Sequence, residues 1–239
     1  MTLAPAPAAL PPGVRVYAVG DVHGCLEQLT ALHQAIAADL VERPLHSNAR
    51  AVLVHLGDYI DRGPDSAGVV ARLMAPFAAP PEVVCLMGNH EDLLLGALEG
   101  RRGSAEVWLA NGGVESLQSW GVPWRTAPSR WAGLLPAAQI EFLRGLKLLH
   151  RLGGYVFVHA GLRPGVPMEA QTRQDMLWIR EPFLSSDAKL GAVVVHGHTP
   201  EASAPVVRAN RIGLDTGAVL GGVLSCAVLE GEMMGFLQA

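Results

Sequence analysis

Apolar residues along this chain gather into short runs that end in glycine, and these runs alternate with stretches of helical spacing. Val14–Val19 reads VRVYAV and stops at Gly20. From Cys25 to Leu40 the apolar positions Leu26, Leu29, Leu32, Ile36 and Leu40 recur at three- and four-residue steps, which predicts a helix with one buried face. Ala51–Leu56 (AVLVHL) is a second strand of the buried type, closed by Gly57-Asp58. Asp65–Phe77 predicts a helix, Glu82–Met87 (EVVCLM) a third strand closed by Gly88-Asn89, and Glu91–Glu99 the start of another helix. Strand, turn and helix repeat three times, the pattern of parallel strands joined by helical crossovers.

The character changes after Gly100. Residues 101–135 hold four of the five tryptophans (Trp108, Trp120, Trp124, Trp131) among Gly, Ser, Arg and Pro. Two readings fit residues 99–135: a helical insertion packed on its own aromatics, or a cap over a site that helps choose substrates. The second half is richer in strands. Leu146–Leu152 and Tyr155–His159 flank Gly153-Gly154, a hairpin signal. Ala192–His196, Val206–Ala209, Ile212–Asp215, Leu224–Leu229 and Met233–Leu237 follow, and they read as a mainly antiparallel set. Residues 1–13 (MTLAPAPAALPPG) carry four prolines and no basic segment, which predicts a disordered or extended arm rather than a signal peptide. Residues 14–239 then form one domain.

Composition narrows the class. Half of the 239 residues are apolar and 17% are charged, as in a compact folded protein. A net charge of -4 lacks the basic excess of a generic nucleic-acid binder. No run reaches the roughly 18 apolar residues of a membrane span. Three scattered cysteines with no CxxC argue against a disulfide framework and against a thiolate zinc site, and a reducing cytoplasm is the simplest setting. Oligomeric state leaves no trace in the sequence.

The candidate chemistry sits where the strands end. Gly20-Asp21-Val22-His23-Gly24, Gly57-Asp58-Tyr59-Ile60-Asp61-Arg62-Gly63 and Gly88-Asn89-His90-Glu91 each follow an apolar run. The second half adds His159-Ala160-Gly161 and His196-Gly197-His198. Ligands of open α/β sheets bind beyond the carboxyl ends of the strands, so these stretches can converge on one crevice. Carboxylates, imidazoles and one amide, without thiolates, suit Mn2+, Fe or Zn2+. Asp21, His23, Asp58, Asn89 and two later histidines are more ligands than one ion needs. Two ions sharing Asp58 would activate a water and clamp a phosphoryl group.

The stretches GDVHG, GDYIDRG, GNHE, HAG and GHT, in this order, resemble the motif series of the calcineurin-like metallophosphoesterases, and more narrowly the phosphoprotein phosphatases, in particular their phage and bacterial branch. WLANGG, LWIRE and LDTGAV extend the likeness over nearly the whole chain from Val14. The resemblance implies an α/β fold, a β-sandwich of two mixed sheets flanked by helices. It implies two divalent metal ions, Mn2+ first and Fe or Zn2+ as alternatives. Asp21 and His23 would bind the first, Asp58 would bridge, and Asn89, His159 and His198 would bind the second. Arg62 and Arg180 would grip phosphate oxygens, His90 would protonate the leaving oxygen, and Asp61 would orient His90. Metal-bound hydroxide would attack phosphorus directly, with no phospho-enzyme.

The implied substrate is a phosphorylated protein, at serine or threonine and also at tyrosine, or a small phosphate ester, with no nucleic-acid or membrane partner. The runner-up is a dinucleoside polyphosphate hydrolase of the diadenosine tetraphosphate type, kept open by the four tryptophans and Arg101-Arg102. An inactive scaffold should have lost the acid, the bridging carboxylate or the arginines, and here all are present. Asp215 is either an orienter of a ligand histidine or a turn residue, Arg163 a substrate contact or a surface charge, and Cys25 a redox thiol or a small buried residue. The motif assigns the ligand in HGH to His198 and leaves His196 as a strand-end neighbour. Two residues apart on a strand share a face, so both imidazoles could reach one site unless Gly197 bends the chain.

Overall fold

The computed structural model describes residues 1–77, 81–201 and 204–239. The chain runs through β1 (Ala4–Pro5), β2 (Val14–Val19), α1 (Leu26–Glu42), β3 (Arg50–His55), α2 (Ser66–Met74), β4 (Glu82–Cys85) and α3 (Asn89–Leu98). Next come α4 (Ser104–Trp108), a π-helical turn (Leu109–Gly113), α5 (Val114–Ser119), a 3-10 turn (Pro128–Gly133) and α6 (Ala137–Arg144). The remainder is β5 (Leu149–Leu152), β6 (Tyr155–Val158), α7 (Arg173–Trp178), β7 (Val193–His196), β8 (Val206–Val207), β9 (Arg211–Gly213), β10 (Ser225–Glu230) and β11 (Met233–Gln238).

Among the described residues the strands form two mixed sheets, one of six in the order β1-β11-β10-β2-β3-β4 and one of five in the order β5-β6-β7-β9-β8. β2, β3 and β4 are parallel, as the strand–turn–helix repeat predicts. Their alternate residues face two cores. Val16, Ala18, Val52, Val54 and Val84 meet Tyr155, Phe157, Val195 and Ile212 of the second sheet. Tyr17, Val19 and Leu53 face the helices with Leu29, Leu32 and Ile36 of α1. On the outer side of the second sheet, Val156, Val158 and Val194 pack on Met176 and Phe183. The result is a sandwich with helices on both outer faces.

Most strand pairs of the second half are antiparallel, as the sequence predicts, but the middle of its sheet is not: β6, β7 and β9 are parallel neighbours, with β5 and β8 antiparallel at the edges. The hairpin of β10 and β11 leaves this sheet altogether and joins the first, beside β2. The reason is burial. YVFV and VVVH are buried at every residue, and a strand covered on both faces has no alternation from which to read its direction. The predicted hairpin at Gly153-Gly154 is present, with Leu152 opposite Tyr155. α2 stops at Met74, three residues early, because Ala75 precedes Pro76 and turns extended (ψ 146°). The N-terminal arm runs extended. Ala4 and Pro5 pair with β11, and Tyr155 donates its hydroxyl to the Ala8 carbonyl.

Candidate metal centre and active site

α3 begins at Asn89, not at Glu91, with Gly88 as its N-cap. Asn89 and His90 therefore occupy the first turn of a helix aimed at the strand ends of both sheets. Asp21 and His23 follow β2, Asp58 to Arg62 follow β3, His159 follows β6, and His198 follows β7. The described residues with positive φ other than glycine number five: His23 (45°), Asp58 (53°), Asp61 (73°), Arg62 (68°) and His198 (66°). All five were singled out from the motifs, and such strained backbone concentrates at functional sites.

Asp58 is the hub. Its Oδ1 accepts from the His90 backbone N–H at 3.1 Å. Its Oδ2 faces His23 Nε2 at 3.4 Å, His159 Nε2 at 3.4 Å and His90 Nε2 at 3.9 Å. Burial pushes the carboxyl up, but His159, His90 and His23 outweigh it and hold it well below the ordinary carboxylate range. Among the described residues, two groups of side chains could each hold an ion: His23, Asp58 and His90, and Asp58, His159 and His198.

The donor set fits metals on its own geometry. His23 Nδ1 donates to the Ile60 carbonyl at 2.8 Å and His159 Nδ1 to the Leu56 carbonyl at 3.0 Å. Both bonds fix the tautomer with Nε2 as a lone pair, the usual device around a metal-ligating histidine. His159 Nε2 then faces two acceptor oxygens, Asp58 Oδ2 and Asn89 Oδ1, the latter at 2.8 Å. Asn89 Oδ1 is also 2.9 Å from His198 Nδ1. So many lone pairs meet there that a proton or a cation is required between them. Burial pulls His159 down, yet Asp58 outweighs it and lifts it to about 9. Asp21 is buried, its Oδ2 accepts from the His198 backbone N–H at 2.9 Å, and its Oδ1 has no protein partner. Burial and the charge of Asp215 push its carboxyl well above the usual range.

His196 lies outside both ligand groups. Its ring packs edge-on against Phe183, 5.0 Å between centroids, and its Nδ1 lies 3.0 Å from the Gly197 carbonyl. His198 adopts a left-handed backbone beyond the end of β7, so the two-residue alternation breaks and only His198 turns toward Asn89. Replacing His198 by Ala is expected to cost bound metal, measured by elemental analysis of the purified protein. Replacing His196 by Gln should leave the metal content intact; the reverse result would overturn the choice.

A cavity of about 720 Å³ opens above this cluster. Asp58, Asn89, His90 and His198 line it, together with Arg62 and Arg180. Both arginines are exposed, and an Arg62 guanidinium N–H donates to His23 Nε2 at 2.9 Å. Arg163 also lines the wall, where its Nε donates to Asp175 at 3.1 Å. Asp215 takes its turn role, accepting from the Gly217 N–H. Cys25 is half buried, and burial raises its thiol pKa, the opposite of what a reactive thiolate needs.

Of residues 99–135 only Asn111 lines the cavity. Arg101 points elsewhere, to Asp92 and Glu99. The WLANGG stretch does structural work beside the site. Gly112 lies so close that a Cβ would sit 2.6 Å from the Arg62 backbone nitrogen, and Gly113 lies equally close to the Trp108 ring. A π-helical turn at Leu109–Gly113 brings these contacts about.

Three residues at the site carry no role in the sequence reading. Trp108 and Ser116 donate to the Asp61 carboxylate. Glu91 is fully buried and accepts from the backbone N–H groups of Asp58 (2.9 Å), Tyr59 (2.8 Å), Ile60 (3.3 Å) and Gly88 (2.8 Å). Its signal was a carboxylate three residues after a helix-capping glycine.

A family model described as calcineurin-like phosphoesterase matches residues 14–222. The chain is 29% identical over 227 residues to serine/threonine-protein phosphatase 1 of Salmonella typhimurium, covering 90% of this chain and 92% of the relative. It is 28% identical to the asymmetrical bis(5'-nucleosyl)-tetraphosphatase PrpE of Bacillus subtilis, covering 87% of each. A crystal structure described as a candidate diadenosine tetraphosphatase superposes with a TM-score of 0.64 at 25% identity, over 97% of this chain and 98% of that one.

Proposed function

Because this chain belongs to the calcineurin-like phosphoesterase family, and so to the metal-dependent phosphoester hydrolases, we propose that it hydrolyses phosphate monoesters, foremost those on serine and threonine of proteins. Asp21, His23 and Asp58 would hold one divalent ion, and Asp58, Asn89, His159 and His198 the other. When bound, such an ion pair lowers the pKa of a water and neutralises phosphoryl charge. Mn2+ suits the mixed carboxylate, amide and imidazole set, with Fe or Zn2+ as alternatives.

The chain's own groups complete the reaction. Arg62 and Arg180 offer planar donor forks to the non-bridging phosphate oxygens, which fixes phosphorus in the cavity. His90 gives its Nε2 proton to the leaving oxygen, which an alkoxide of serine or threonine requires. Asp61 accepts from His90 Nδ1 at 2.7 Å and holds the ring in place. Burial lowers His90, but Asp58 and Asp61 outweigh it and raise its pKa, which keeps the acid form available.

The observation that carries this reading is that one cavity is lined by Arg62 and Arg180 together with Asp58, Asn89, His90 and His198. The choice of a monoester over a dinucleotide rests on the insertion: none of its four tryptophans lines the cavity, where Trp178 alone offers an indole face, and Arg101 is engaged by carboxylates elsewhere. The test is turnover with added Mn2+ on phosphoserine and phosphothreonine peptides beside diadenosine tetraphosphate. Faster release of phosphate from the peptides is expected. Preferential cleavage of the tetraphosphate would replace the reading by the dinucleotide one, and a folded protein inactive with every divalent metal would make it a scaffold.

A further inference from the structure

Asp61 is fully buried, and its carboxylate is surrounded by donors. His90 Nδ1 lies at 2.7 Å from Oδ2. Trp108 Nε1–H donates to Oδ1 at 3.0 Å and Oδ2 at 2.9 Å. Ser116 donates its hydroxyl to Oδ1 at 2.6 Å. The Ser116 oxygen in turn accepts from the Asp61 backbone N–H at 2.8 Å and stands 2.8 Å from Ser66 Oγ. With Asp61 as the carboxylate, the protons have one arrangement. The hydrogen of Ser66 goes to Ser116, that of Ser116 goes to Asp61, and the indole can only donate. Asp61 is thus an acceptor on every side, so Nδ1 of His90 carries its proton and Nε2 faces the cavity.

Trp108 and Ser116 lie 47 and 55 residues from Asp61, in the insertion. Trp108 is itself wedged, edge-on to Trp131 with centroids 5.2 Å apart and flat against Gly113. We propose that the insertion acts as the rear support of the proton donor: Trp108 and Ser116 are positioning residues that hold Asp61, and through it His90, in line with the leaving oxygen. This rests on the reading of His90 as the acid. A side chain that merely fills space would not aim a hydrogen bond at each carboxylate oxygen, and a substrate-selecting cap would line the cavity, which Trp108 and Ser116 do not.

The experiment compares Trp108→Phe, Ser116→Ala and His90→Asn, singly and with each of the first two combined with the third, in the Mn2+-loaded full chain. Two substrates are used, a phosphoserine peptide with a poor leaving group and p-nitrophenyl phosphate with a good one. Trp108→Phe keeps the aromatic packing and removes only the N–H. It is expected to lower kcat on the peptide by roughly 10-fold, within the range of general acid catalysis. KM, metal content and p-nitrophenyl phosphate turnover should change little. In the His90→Asn background neither substitution should lower peptide turnover further, because the group they position is gone. Ser116→Ala, a smaller change, carries the same pattern if Trp108→Phe folds poorly. Equal losses on both substrates, or the same loss with and without His90, would leave only a structural role and overturn the proposal. If His90→Asn itself spares the peptide or removes metal, the acid assignment falls, and this proposal with it.

Discussion

Asp58→Asn is expected to weaken metal binding at both positions at once and to cut phosphoester turnover on the order of 10³-fold or more. The local geometry decides how the new amide would sit. Oδ1 of Asp58 accepts from the His90 backbone N–H, so an asparagine keeps its oxygen there and turns its NH2 to where Oδ2 now stands. Oδ2 is the atom facing His23 and His159, one from each ligand group. A donor in that place cannot ligate, and the change removes the one negative charge common to both groups. Metal per chain by elemental analysis, with calorimetric titration of Mn2+, checks it. Two ions bound tightly in the folded variant would show that Asp58 does not bridge.

Glu91→Gln is expected to destabilise the fold by roughly 3 kcal/mol without touching the core. Each Glu91 oxygen accepts two backbone N–H groups. Burial and the charge of Asp58 push the carboxyl up to about 7, against the pull of those N–H groups. Because all four partners are donors, the ionised form is the one the cradle fits. Glutamine must put an NH2 against two of them and leave them unpaired. The loop so held is Asp58–Ile60, and Asp58 is in a left-handed backbone. Metal affinity should therefore fall together with stability. For a chain of this size the loss amounts to about 6–12 °C in Tm. A melting temperature within about a degree of the parent would mean the cradle is dispensable.

The convergence of the proposed ligands was legible in the sequence because each stands just after an apolar run, and strand ends converge by the geometry of parallel sheets. Asp21, Asp58 and Asn89 needed no tertiary information beyond that. His198 against His196 was harder, since period-two logic treats them alike; only the left-handed turn at His198 separates them. The direction of β6, β7 and β9 was hidden by their burial on both faces. Trp108, Ser116 and Glu91 were hidden for another reason. Apart from the Glu91 bond to the Gly88 N–H, they act through hydrogen bonds to groups 31 to 55 residues away, and a tryptophan or serine in an insertion has no local pattern to mark such a bond. The Trp-rich stretch was weighed as self-packed or as a cap. The structure shows aromatic packing of Trp108 on Trp131 and, beneath the site, a hydrogen bond to Asp61 that neither reading contained.

The five left-handed residues also bear on the history of such chains. Holding a side chain at positive φ costs roughly 1 kcal/mol at each position, a cost that glycine escapes. Selection for durability alone would therefore replace His23, Asp58, Asp61, Arg62 and His198 by glycine, relaxing the backbone while every strand and helix stayed in place. Five such residues gathered at one site mark it as a place of use. A descendant that had retired from hydrolysis would betray itself at these positions first, while its hydrophobic cores still looked unchanged.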